Sequence, residues 1–124
     1  MIAMDLAKNN EAPKEFSPHA RHLIYLRTKG FCEKCGGYMS EEEMCAHHRL
    51  MKSHYGRGNV ANGLGCHHKC HNGETDSIHF NPERAYLKGW IIPSWGDPLT
   101  YPLHLPDGSI VTLDNAGNYI NLEA

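Results

Sequence analysis

A chain of 124 residues makes about one domain, with a core too small to be generous unless something staples it. No apolar run approaches the roughly 20 residues of a membrane span, and the start, "MIAMDLAKNNEAPKEF", has neither a basic leader nor a long apolar stretch, so a soluble, cytoplasmic protein is expected. The net charge of −2 argues against a general electrostatic affinity for nucleic acid.

The charge is unevenly spread. From Met44 to Gly73 there is no Asp or Glu, while Arg49, Lys52, Arg57 and Lys69 give a local excess of four positive charges that could meet phosphate. Five cysteines is an odd number, and beside ten histidines reduced, metal-binding thiols are a better reading than a disulfide framework.

Residues 1–16 are polar and aperiodic and read as a flexible tail. "SPHARHLIYLRTKG" predicts a helix, with Ser17 as N-cap, Pro18 in the first turn, an apolar stripe through Ala20, Leu23, Ile24 and the stem of Arg27, and Gly30 closing it. "FCEKCGG" follows. Its Cys32 and Cys35 form a knuckle that aims two thiolates at one point, while the glycines let backbone approach the sulfurs. A thioredoxin-like redox pair would need a βαβ setting and a helix starting at the cysteine, whereas this pair comes after a helix.

"AHHR" puts His47 and His48 side by side. On an extended strand they face opposite ways, so one can ligate a metal while the other faces a substrate. Asn62 in "VANGLG" precedes "GCHHKCHN", in which Cys66, His67, His68, Cys70 and His71 crowd together. "NPERAYLKG" predicts a second short helix between Asn81 and Gly89. "YPLHLPDGSIVTLDNAGNYINL" alternates apolar and polar residues about two turn signals and reads as a small antiparallel hairpin or meander. Trp90 and Trp95 are expected to pack this C-terminal part on the core, and Cys45 reads as a core thiol.

"FCEKCGG", "AHHR" and "VANGLGCHHKCHN", taken together, resemble the HNH endonucleases with a ββα-metal site, in the zinc-stapled subgroup and especially its small bacteriophage versions. The resemblance covers about residues 17–89. It implies an α+β fold: an HNH core with structural zinc over 17–80, after the 1–16 tail, and a C-terminal helix and β-hairpin extension over 81–124.

It also implies roles. His48 would be the general base. His47, often Asp in the family, and His71 would hold the catalytic divalent metal, which could be Mg²⁺, Mn²⁺, Ni²⁺ or Zn²⁺. Asn62 would tie the intervening loop and orient the base. A further family histidine, four residues after His71, is replaced here by Thr75.

The family's register gives Cys32, Cys35, His67 and Cys70 as structural zinc ligands, although the softer Cys66 is an alternative to His67. Arg49, Lys52, Arg57 and Lys69 would meet nucleic acid, with Arg49 clamping the scissile phosphate. The implied function is metal-dependent nicking or cleavage of DNA in a host cytoplasm, with phage packaging proteins as possible partners. The rival readings are a zinc-stapled DNA-binding module that does not cut, and a structural zinc protein with a protein partner.

Overall fold

The computed structural model describes residues 12–72 and 77–122. Among them are three α-helices and two small antiparallel sheets, an α+β arrangement. No described helix is long and apolar enough to cross a membrane.

Helix α1, Pro18–Thr28, starts where its capping signal says: the Ser17 hydroxyl accepts from Ala20 N at 3.0 Å. Its C-cap falls one residue before the predicted glycine, because Lys29 already adopts the left-handed conformation, with Gly30 following at φ 88°. The buried face carries Ala20, Ile24, Arg27 and Thr28.

Strand β1, Met44–His48, pairs antiparallel with β2, Gly63–His67, in a register that sets Cys45 opposite Cys66 and His47 opposite Leu64. Helix α2, His68–Asn72, leaves the end of β2 directly. The ribbon lies close against α1 because β2 lacks side chains where they meet. A Cβ on Gly63 would stand 2.3 Å from Ile24 Cδ1, and one on Gly65 2.9 Å from Thr28 Cγ2.

Helix α3, Pro82–Lys88, ends at Gly89 with φ 80°. Strands β3, Leu103–His104, β4, Ile110–Leu113, and β5, Tyr119–Asn121, make a three-stranded meander in that order, so the hairpin alternative gains a third strand. Residues after 81 do not stand apart from the rest. Trp90, Leu103, Val111 and Leu113 share one apolar cluster with Ile24, Met39, Leu64 and Ile78. Trp90 is buried as expected. Trp95 is not: it is 80% exposed and only edges onto Tyr101.

Two buried arginines cross-tie these parts. Arg27 makes a bidentate pair with Glu33, at 2.8 and 2.6 Å, and also donates to the Val60 and Gly63 carbonyls. Glu33 further accepts from Gly65 N and from the Tyr119 hydroxyl, so one carboxylate joins the knuckle, β2 and β5.

Arg49 is the second. It was expected at a scissile phosphate, but it is fully buried and donates to the carbonyls of Gly89, Ala61, Pro98 and Tyr101. Burial, and after it the like charge of Arg27, pushes its pKa down to about 9, which still leaves it charged at neutral pH. With its donors spent on backbone, it is a structural tie and not a phosphate clamp.

Candidate metal centres and the histidine cleft

The knuckle is built from backbone N–H groups that point at sulfur. Lys34 N and Cys35 N each lie 3.4 Å from Cys32 Sγ, and Gly37 N lies 3.4 Å from Cys35 Sγ. Gly36 takes φ 83° to close the turn, and a Cβ on Gly37 would stand 3.2 Å from the His67 ring.

From the other side, the end of β2 supplies His67 and the first turn of α2 supplies Cys70. The ligand atoms of Cys32, Cys35, His67 and Cys70 all lie within 4.8 Å of one another and could hold a metal ion. His67 Nε2–H donates to the Tyr38 carbonyl at 2.9 Å, which leaves Nδ1 facing Cys35 Sγ at 3.3 Å and Cys70 Sγ at 3.9 Å. A carbonyl on the far nitrogen is how ligating imidazoles are usually aimed.

The Cys32 to Cys70 sulfur separation of 3.8 Å suits two thiolates on one ion with metal–sulfur bonds of about 2.3 Å. Burial, and then the neighbouring thiols, pushes Cys70 up to about 12, so a full thiolate set at neutral pH calls for a cation in its midst. At Cys35 burial works the same way, but the Gly37 N–H and the adjacent thiols outweigh it and lower the pKa. Three sulfurs and one imidazole are consistent with a structural zinc.

Cys66, the softer alternative, is outside this group. It is completely buried on β2, its thiol directed at the Cys45 carbonyl, and burial holds its pKa well above the ordinary value.

The second cluster is His47, His71 and His79, whose ligand atoms also lie within 4.8 Å of one another. His47 is buried on β1 and donates Nε2–H to the Trp90 carbonyl at 3.0 Å, so its Nδ1 is the nitrogen free to bind a metal. His71, on α2, has Nδ1 3.3 Å from Cys45 Sγ and Nε2 3.1 Å from His79 Nε2.

Burial first, and then the neighbouring imidazoles, lowers His47 to about 3 and His71 to about 4. Both are therefore neutral at physiological pH, as ligands must be. His79 carried no signal in the sequence, since it lies in a loop eight residues beyond His71. Thr75, where the family's third histidine would fall, is outside the described residues. Only a histidine spaced irregularly after "CHN" could have hinted at His79.

A cleft of about 400 Å³ opens on this cluster, lined by His47, His48, His71 and His79 together with Glu15, Lys52 and Ser53. His48, the next residue on β1, lines the same cleft as His47, and its ring lies against Phe16 at 4.4 Å. Asn62 is buried, and its hydrogen bonds go to neither His48 nor the cluster. Its side chain accepts from Leu50 N at 2.7 Å and donates to the Leu50 and Arg57 carbonyls, and its own carbonyl accepts from Arg49 N. It ties the loop, as expected, and makes no hydrogen bond to the His48 ring.

The expected phosphate contacts separate. Lys52 lines the histidine cleft and pairs with Glu15 at 2.6 Å. Lys69 lines a different cleft with Glu42 and Glu43, and Arg57 is half-buried with its carbonyl bound by Asn62. The four basic side chains thus do not form one patch. Comparison of the chain with protein-family models, with curated proteins and with solved structures finds no match.

Proposed function

We propose that the protein is a metal-dependent DNA endonuclease of the HNH type, with a ββα-metal core. What carries the reading is a single arrangement: His48 shares a cleft with a three-histidine cluster drawn from β1, α2 and the turn that carries His79, beside the cysteine group.

His47, His71 and His79 would hold the divalent ion. When bound, it would supply positive charge for the phosphorane and the departing oxygen. His48 acts as general base. It takes a proton from a water whose oxygen attacks phosphorus, the P–O3′ bond breaks, and the 3′ oxygen leaves to be protonated, giving a 5′-phosphate and a 3′-hydroxyl. Lys52 reaches a phosphate from the cleft wall once its pairing with Glu15 opens. The Cys32, Cys35, His67 and Cys70 group, filled with zinc, holds the backbone from which His71 projects, one residue beyond Cys70.

Among the described residues the cluster offers nitrogen donors alone, which favour Mn²⁺, Ni²⁺ or Zn²⁺ over Mg²⁺. Supercoiled plasmid incubated with each ion, or with EDTA, tests the reading against His48→Ala. Nicking by the parent, reduced about 10²-fold or more in the variant, is the expected result. A parent that binds DNA but never nicks it with any ion would leave a binding module instead.

A further inference from the structure

Residues 13–16 pass beside the histidine cleft, where Glu15 forms part of the wall, and each is held. Gly58 N–H donates to the Pro13 carbonyl at 2.7 Å. The Lys14 carbonyl lies 2.6 Å from His48 Nε2. The Glu15 carboxylate pairs with Lys52, and the Phe16 ring lies on the His48 ring. This segment is a strap and not a loose end.

A carbonyl oxygen can only accept a hydrogen bond, so the nitrogen facing it must carry the hydrogen. We infer that the Pro13–Phe16 strap is a positioning element for His48: the Lys14 carbonyl fixes the Nε2–H tautomer and leaves Nδ1 as the nitrogen able to take a proton. No side chain of the ribbon or the following loop bonds to the His48 ring among the described residues, and Asn62 spends its amide on Leu50 and Arg57. Orientation of the ring therefore comes from a segment 34 positions upstream. Without it, both tautomers are available and the ring can turn, as in other imidazole bases deprived of their orienting partner.

Gly58 sets the strap's seat. A Cβ there would stand 2.2 Å from the Glu15 carbonyl oxygen and 2.9 Å from Phe16 N, both backbone atoms that cannot swing aside. Gly58→Ala should thus lift the strap while leaving His47, His71, His79 and the cysteine group untouched.

The inference rests on His48 as the base of the proposed reaction, and the test separates the two. Long-range ¹H–¹⁵N spectra of the full chain, with the His48 signals assigned by their loss in His48→Ala, report the tautomer without any turnover. Expected is a single Nε2–H form in the parent and a mixture in Gly58→Ala and in a chain lacking residues 1–15, which keeps the Ser17 cap. Plasmid nicking by both variants should fall about tenfold or more in kcat, with KM and bound zinc unchanged.

An Nδ1–H form in the parent, or a pure Nε2–H form in Gly58→Ala, would overturn the strap's role whether or not DNA is cut. Should the shortened chain fail to fold, Gly58→Ala still decides. A parent that shows the Nε2–H form yet never nicks would sink the nuclease reading and leave the strap's hold on His48 standing.

Discussion

His47 and His48 are neighbours in sequence and opposites in environment. His47 is 3% exposed and its pKa is lowered to about 3, while its neighbour sits half-buried in the cleft wall beneath Phe16. The depressed value makes a prediction about pH. The unfolded chain binds a proton at His47 below about pH 6.5, and the folded protein does not until about 3, so stability is complete above 6.5 and drains as pH falls between the two. The loss approaches about 1.4 kcal/mol per pH unit for this one group. His71 moves in the same direction, more weakly because it is partly exposed to solvent. Thermal midpoints from pH 7.5 to 5 should therefore drop faster in the parent than in His47→Gln, and parallel curves would count against a buried neutral imidazole. At the other centre, His67→Ala should lose bound zinc and Cys66→Ser should keep it. Metal analysis after gel filtration decides, and zinc lost only from the Cys66 variant would move the fourth ligand.

Between elements, the buried carboxylate of Glu33 carries the most consequence. Its removal leaves Arg27 charged, fully enclosed and still facing the Val60 and Gly63 carbonyls, with no anion beside it. Breaking such a pair on one side costs about 3–5 kcal/mol, so Glu33→Gln should lower the denaturation midpoint severely, whereas Tyr119→Phe, which removes only one of the donors to that carboxylate, should cost about 1 kcal/mol. Urea unfolding of the three proteins measures both, and equal effects would show that the pair is not what ties these elements.

Helices α1 and α3 could be read from local grammar, since Ser17, Pro18, Pro82 and Gly89 act on their own few neighbours. The knuckle was equally visible, because Cys32 and Cys35 need only a short turn between them. Arg49 was misread for the opposite reason. Its partners are carbonyls 12 to 52 positions away, and a surface-looking arginine next to a paired histidine carries no mark of burial. His79 and the Lys14 carbonyl escaped the sequence in the same way, since one depends on the path of a loop and the other on backbone.

For the molecule as a whole, the two candidate metal centres should differ in how they give up an ion. The cysteine group offers four ligands, three of them thiols, and closes a site at the junction of the knuckle, β2 and α2. The histidine cluster offers imidazoles alone and opens onto a cleft, so it has both fewer protein ligands and a path for water. In zinc-finger peptides a closed site of the first kind contributes on the order of 10 kcal/mol to folding, comparable with the entire stability of a small domain. Brief treatment with EDTA should thus abolish any nicking while the circular dichroism spectrum and melting temperature hold, and Mn²⁺ should restore the activity. A mercurial that takes the thiolates should instead release zinc and unfold the chain in one step, because Cys32 and Cys70 are then lost from the core along with the ion. Zinc release titrated alongside ellipticity measures this, and a chain that keeps its fold after all zinc has left would show that the apolar core suffices without its staple.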